Sequence, residues 1–138
     1  MKLYKHINLF SDGGSRGNPG PAAIAFIIQL DNGKIQNTYS EFIGVHTNNQ
    51  AEYQAIIVAL QFASKISEEI TCYLDSELVV KQINQDYNVR NERLLILWNK
   101  VTALKKLFKK TKFVSVPRSN IYIQKADILL NEKLDKYG

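Results

Sequence analysis

Apolar and polar residues follow two different periods along this chain. In the first third the pattern is strand-like. An apolar run over residues 3–10 reads as a first strand, and 22–30, rich in isoleucine, as a second. Between them lies a polar, glycine-rich stretch. Asp31-Asn32-Gly33-Lys34 predicts a type I′ hairpin turn, because Asn-Gly supplies the positive φ that this turn needs. Residues 35–44 then return antiparallel as a third strand, with imperfect alternation at Tyr39, Phe42 and Ile43. From Thr47 onward the period becomes helical through Ala55, Ile56, Ala59, Leu60 and Ala63. Ile57, Val58 and Phe62 make this helix apolar nearly all round, which predicts burial. Thr47 or Asn48 can cap it, putting Glu52 in the first turn, where the helix dipole favours a carboxylate.

The second half alternates the two periods. Residues 70–74 read as a short apolar strand, 77–84 as a short helix, and 84–91 as a polar connection. Residues 93–110 form an amphipathic helix whose apolar stripe runs from Leu94 through Leu97, Trp98, Val101 and Leu104 to Phe108. A fifth strand over 113–116 is closed by Pro117, and a final helix spans about 122–136. Ala126, Leu129, Leu130 and Leu134 are its buried side, with Asp127 one turn in and next to that face. The order βββαβααβα predicts an α/β fold: a five-stranded mixed sheet, three antiparallel strands first and then parallel additions, flanked by helices. No repeat, low-complexity tract or linker interrupts it, so residues 1–138 are expected to form a single domain.

Composition narrows this picture only slightly. A chain of 138 residues with 45% hydrophobic content can bury one substantial core. The lone cysteine, Cys72, excludes an internal disulfide and a cysteine-based zinc site, and its place in the apolar 70–74 run predicts a buried small hydrophobe. No stretch approaches the ~20 apolar residues of a membrane span, and the N-terminus lacks a secretory leader pattern; a reducing, cytoplasmic setting is expected. The net charge of +5 suits a polyanionic partner, although excess lysine also serves solubility.

The acidic residues change the picture most. The first and fourth strands both end in an aspartate, Asp12 and Asp75, each followed by small residues. A strand followed by Asp12-Gly13 fits a simple hairpin turn, and it fits equally a glycine-lined ligand loop. If the two strands are neighbours, their carboxylates lie side by side, joined by Glu52 from one helix and Asp127 from another. Carboxylates converging in a cleft repel unless hard divalent cations hold them together. All-oxygen ligands point to Mg²⁺ or Mn²⁺, and two such ions can stabilise both the attacking and the leaving oxygen of an in-line displacement at phosphate.

Three segments carry a family resemblance: residues 11–21, the run Thr47-Asn48-Asn49-Gln50-Ala51-Glu52, and Leu74-Asp75-Ser76. Pro117-Arg118 leading to Ala126-Asp127 is a looser fourth. Together they resemble ribonuclease H type 1, of the retroviral-integrase-like nucleases, which cut the RNA strand of an RNA–DNA hybrid. The resemblance implies that Asp12, Glu52, Asp75 and Asp127 bind metal, two Mg²⁺ or Mn²⁺ ions with substrate bound. It implies that Asn18, Asn48, Asn49 and Gln50 touch the hybrid's minor groove, that Thr47 holds a DNA phosphate, and that Ser76 lies on the same surface. Backbone groups of Gly13 and Ser15 are expected to read the 2′-hydroxyls that distinguish RNA from DNA.

The chain departs from the family at several points. The histidine common before the last helix is absent, and Arg118 occupies that neighbourhood, as in a branch of the family, where it is expected to act in catalysis. Ile123 replaces the asparagine of the Asn-x-x-Ala-Asp signature, and Val45 stands where some relatives carry a phosphate-pocket arginine. Residues 84–93 are too short and too neutral for the basic protrusion of some members. The lysines of the long helix either replace it or, preferably, form a solvated face. The expected function is a metal-dependent endonuclease acting as a monomer on RNA–DNA hybrid, with double-stranded RNA open as a second substrate. The rivals are a hybrid- or duplex-binding module without catalysis and a related polynucleotidyl transferase.

Overall fold

A computed structural model describes residues 2–138. The elements run β1 (Tyr4–Ser15), β2 (Gly20–Gln29), β3 (Ile35–His46), α1 (Asn48–Ala63), β4 (Ser67–Leu74), α2 (Glu77–Ile83), α3 (Glu92–Lys105), β5 (Lys110–Ser115) and α4 (Ile121–Tyr137). They build one sheet in the order β3-β2-β1-β4-β5, antiparallel from β3 to β1 and parallel from β1 to β5. This is the expected α/β architecture.

Helices cover both faces of the sheet. On one, Ile7, Leu9, Phe26 and Ile28 pack against the buried side of α1 and the apolar stripes of α2 and α3. On the other, Phe10, Ala23, Ala25 and Ile27 meet Ile123, Ala126, Leu130 and Leu134 of α4. Phe10 stacks on Tyr73 at 4.9 Å and meets Tyr122 at 4.8 Å, an aromatic layer tying β1, β4 and the start of α4 together. Ile123 is buried in this layer, so apolar packing explains the residue that breaks the family signature. Cys72 is buried, as its apolar run predicts.

Several element boundaries differ from the sequence reading, each for a physical reason. β1 continues through Asp12, Gly13 and Gly14 to Ser15, paired to β2 residue by residue (Asp12 with Ala25, Ser15 with Ala22). The Asp12-Gly13 hairpin turn is therefore excluded; the chain reverses later, between Ser15 and Gly20. At the next hairpin, Gly33 N–H donates to Leu30 O and Gly33 alone takes positive φ, so the turn is a type I followed by a glycine bulge rather than type I′. α1 begins at Asn48, capped by Thr47 in a capping box with Gln50, which leaves Glu52 in the second turn, beyond the strongest reach of the dipole. α3 ends at Lys105 and not at 110, because Lys109 N–H is captured by Glu68 O and β5 starts at Lys110. Phe108 still enters the core, which is why the helical period seemed to continue.

Candidate active site

Register brings the two strand-end aspartates together. β1 and β4 are adjacent and parallel with Phe10 opposite Tyr73, so Asp12 and Asp75, each two residues further on, leave the same end of the sheet. The first side chain is buried and the second nearly so. Glu52 reaches them from α1 across Gly13. A Cβ on Gly13 would lie 2.3 Å from Ala51 O, so only glycine lets the α1 backbone approach β1 this closely. The approach sets Gly13 N–H 3.4 Å from Glu52 Oε1.

Carboxylate oxygens of Asp12, Glu52 and Asp75 all lie within 4.8 Å of one another. Asp127, exposed on the second turn of α4, lines the same open cavity of about 400 Å³, together with Gly14, Asn48, Asn49, Ser76 and Arg118. Burial, then the nearby Asp75 and Asp127 charges, push the Asp12 carboxyl up to about 7, against a hydrogen bond with Glu52 that lowers it. Glu52 is driven well above the usual carboxylate range, first by burial and then by Asp12 and Asp75. Its Oε2 is buried without a hydrogen-bond partner. Clustered carboxylates, one with an orphaned buried oxygen, form an oxygen-only donor set that fits a hard divalent cation. Among the described residues, Asp75 is the one carboxylate of the four in an ion pair: Arg118 Nε donates to its Oδ2 at 3.1 Å from a side chain that is 87% exposed.

The expected substrate-contacting residues divide into two groups. Asn18, Ser15 and Asn48 tie the end of β1 to the start of α1: Asn48 N–H donates to Asn18 Oδ1 at 3.0 Å, and Ser15 N–H to Asn48 Oδ1 at 2.9 Å. Thr47 and Gln50 complete the capping box, each side chain accepting from the other's backbone N–H. Ser76 caps α2 through Val79 N–H. The amide groups of Gly13 and Ser15, expected to face a ligand, are engaged within the protein. Asn48 and Asn49 both line the carboxylate cavity and a second cavity beside it. Sequence reasoning missed two residues of that second cavity, Asn91 and Arg93. Starting α3 at Arg93 hid the cap; an asparagine three residues before Leu94 was the available signal, since Leu94 N–H donates to Asn91 Oδ1.

Comparison with known proteins agrees with this geometry. A reverse transcriptase-like family profile matches residues 10–132. The RNase H1 structure from the halophilic archaeon Halobacterium salinarum superposes with a TM-score of 0.91 at 36% identity, covering 95% of this chain and 98% of that one. LC11-RNase H1 in complex with an RNA/DNA hybrid gives 0.87 at 38% identity, covering 94% and 97%. A Mycobacterium tuberculosis protein named as bifunctional is 38% identical over 128 residues, 91% of this chain but 34% of its own length. The chain likewise spans 64% of the curated Halobacterium ribonuclease HI. With a profile across most of its length and near-complete overlap with RNase H1 structures, the chain belongs to the ribonuclease H1 family of reverse transcriptase-like domains.

Proposed function

We propose that this chain is an endonuclease that hydrolyses the RNA strand of RNA–DNA hybrids, leaving 5′-phosphate and 3′-hydroxyl ends. The observation that carries the proposal is the three-carboxylate cluster of Asp12, Glu52 and Asp75, with Asp127 on the same open cavity. Mg²⁺ or Mn²⁺ held by these carboxylates, two ions when substrate is bound, would stabilise the attacking and leaving oxygens of an in-line displacement at phosphorus. The protein's own part is to hold the carboxylates at fixed spacing, through Gly13 and the β1–β4 register, before any cation arrives. Arg118 adds a fixed positive charge at the rim of the cavity, where a phosphate would enter. Asn48 and Asn49 give the floor beside it short amides that fit a shallow groove carrying 2′-hydroxyls. The relative bound to RNA/DNA hybrid supports this choice of substrate. The one thiol, Cys72, is buried, which is compatible with a reducing cytoplasm, and a monomer is the simplest state for a cavity whose four carboxylates all come from one chain. Among the described residues no helix is long and apolar enough to cross a membrane.

The test offers labelled hybrid, double-stranded RNA and double-stranded DNA in parallel, with Mg²⁺, Mn²⁺ or EDTA. Cleavage of the hybrid's RNA strand with either cation, abolished by EDTA, is expected. Full activity in excess EDTA would overturn the metal mechanism, and binding without cleavage under all conditions would favour a pure binding module.

A further inference from the structure

The segment between α2 and α3, which reads as a polar connection along the sequence, encloses a third cavity of about 350 Å³. It shares no lining residue with the carboxylate cavity or the one beside it. Ser76 at the carboxylates and Gln82 at this cavity stand near opposite ends of α2, about 9 Å apart at 1.5 Å per residue. The segment is tied down along its length. Asp86 N–H and Tyr87 N–H both donate to Lys81 O, at 2.8 and 3.2 Å, and Asn84 Nδ2 donates to Phe113 O. Trp98 Nε1–H donates to Gln82 O at 2.9 Å, clamping α3 to the end of α2. Lys81 holds the Tyr87 ring, with its Nζ 4.9 Å from the centroid and 3.3 Å from the hydroxyl.

Tyr87 and Trp98 give the cavity its aromatic surface, and Gln82, Gln85 and Asn88 its carboxamides; no charged side chain lines it. Gln82 limits what fits. It is only 7% exposed, and its Oε1 accepts from the buried Tyr53 hydroxyl at 2.6 Å. Among the described residues its Nε2 has no acceptor, so a nearly buried amide donor is left to the cavity. A purely apolar ligand would leave that donor unpaired, and a carboxylate or phosphate would find no cation in the lining. A flat, uncharged heterocycle with acceptor atoms on its edge meets both conditions: its faces pack on aromatic rings and its edge takes carboxamide hydrogen bonds. The volume lies at the small end for ligand sites, which suits one ring system with its sugar. We infer that this cavity binds a single unpaired nucleobase, supplied by a free nucleoside or by the single-stranded end of a hybrid. The site goes beyond the hydrolase reading and requires no cleavage.

Trp98 is the chain's one tryptophan, so its fluorescence reports on this cavity directly. The test titrates the full chain with uridine in EDTA, which suppresses cleavage, and with ribose in parallel. Uridine should quench Trp98 saturably, with half-saturation at about 1 mM or below, and ribose should not. Tyr87→Leu should raise the half-saturating concentration about 5- to 100-fold by removing a stacking surface. Gln82→Glu keeps an oxygen for Tyr53 but removes the donor, and should raise it about tenfold. Tyr87 is half exposed, so Tyr87→Leu should melt as the wild type does and tests the site even where Gln82→Glu fails to fold. Competition separates the two sources. Displacement of uridine by a hybrid with a DNA tail of about five nucleotides, and not by the blunt hybrid, assigns the site to a strand end; displacement by neither assigns it to free nucleosides. Quenching that rises without saturating, or that Tyr87→Leu leaves unchanged, would overturn the inference, as would equal displacement by the blunt hybrid. Failure to cut hybrid with uridine binding intact would overturn the hydrolase reading alone.

Discussion

The two ends of the parallel strands handle charge in opposite ways. At one end Asp12, Glu52 and Asp75 crowd their carboxylates within 4.8 Å, largely out of water. At the other, Lys105, Lys106, Lys109, Lys110 and Lys112 cluster around the close of α3 and the start of β5. Lys110 pairs with Glu69, six residues before Asp75, which puts it about 20 Å from the acidic end at ~3.3 Å per residue. The lysines repel one another as the carboxylates do, but water screens them and other groups offset them: Lys109 meets Glu68 at 3.4 Å, and Lys105 lies over the Phe113 ring. One sign of charge is cheap where it is solvated and costly where it is buried. The costly cluster is the one held in place by a tight backbone contact, the mark of a site kept for chemistry.

The contrast breaks most sharply at Asp12. Asp12→Asn should lower cleavage by at least about a thousandfold, because a principal cation ligand is lost. The same change should stabilise the protein without metal. The Asp12 carboxyl, raised to about 7 in the fold from an ordinary 3.8, favours the folded state while protonated. That contribution is complete below about pH 3.8 and disappears as pH rises through about 7. Melting in EDTA should show the wild type losing on the order of 2–4 kcal/mol relative to Asp12→Asn between those limits, with the gap closing when Mg²⁺ is added. A mutant no more stable than wild type at pH 8 would mean that the buried charge is not strained.

Arg118 is the next largest. Because its side chain is 87% exposed, Arg118→Ala should leave the melting temperature unchanged. Its kcat should fall roughly 30- to 1,000-fold, as expected for a fixed charge offsetting a developing one. Arg118→Lys should recover part, and the shape of the pH–rate profile should survive both changes, since a guanidinium does not titrate in this range. Calorimetry without substrate should find tighter Mn²⁺ binding in Arg118→Ala, because the guanidinium now occupies Asp75 Oδ2. A near-wild-type rate would make Arg118 a bystander.

Gly13→Ala sharpens the comparison through the backbone alone. Its new methyl would meet Ala51 O at 2.3 Å, so α1 must move and Glu52 with it. We expect a stability loss of about 1–3 kcal/mol and a rate loss of roughly 10- to 100-fold, read by chemical denaturation and initial rates. At the cheap end, Lys105→Ala combined with Lys109→Ala should change stability by less than about 0.5 kcal/mol and leave KM and its salt dependence as they were. A flattened salt slope in that double mutant would make the lysines part of the nucleic-acid surface after all.

How much of this was legible in the sequence depended on whether a feature is periodic or spatial. Element order and sheet type followed from apolar spacing, and the convergence of Asp12 with Asp75 from two strands ending alike. The boundaries drifted where the core takes residues outside regular structure, as Phe108 does beyond α3, or where a strand continues through residues usually found in turns, as β1 does through Gly13 and Gly14. Glu52 was seen as a candidate, but its place in the second turn of α1 depended on the cap. Asn91 and Arg93 were missed because α3 was read as starting at Arg93, which hid the Asn91 cap and the cavity that both residues line.

The reversal between β1 and β2 is held from two sides. Arg16 N–H closes onto Pro21 O at 2.8 Å, Asn18 accepts from the first amide of α1, and the Arg16 guanidinium reaches Asp135 near the end of α4 at 2.6 Å. The ion pair is exposed and adds little to stability. Its effect is conformational: a glycine-rich loop that would otherwise sample many shapes is already in one. A ligand that fits the loop in this shape has correspondingly less of it to order on encounter. The last turn of the C-terminal helix thus serves twice, Leu134 packing into the core while Asp135 reaches the N-terminal loop, and Asp135→Ala would release the loop and leave the core packing in place.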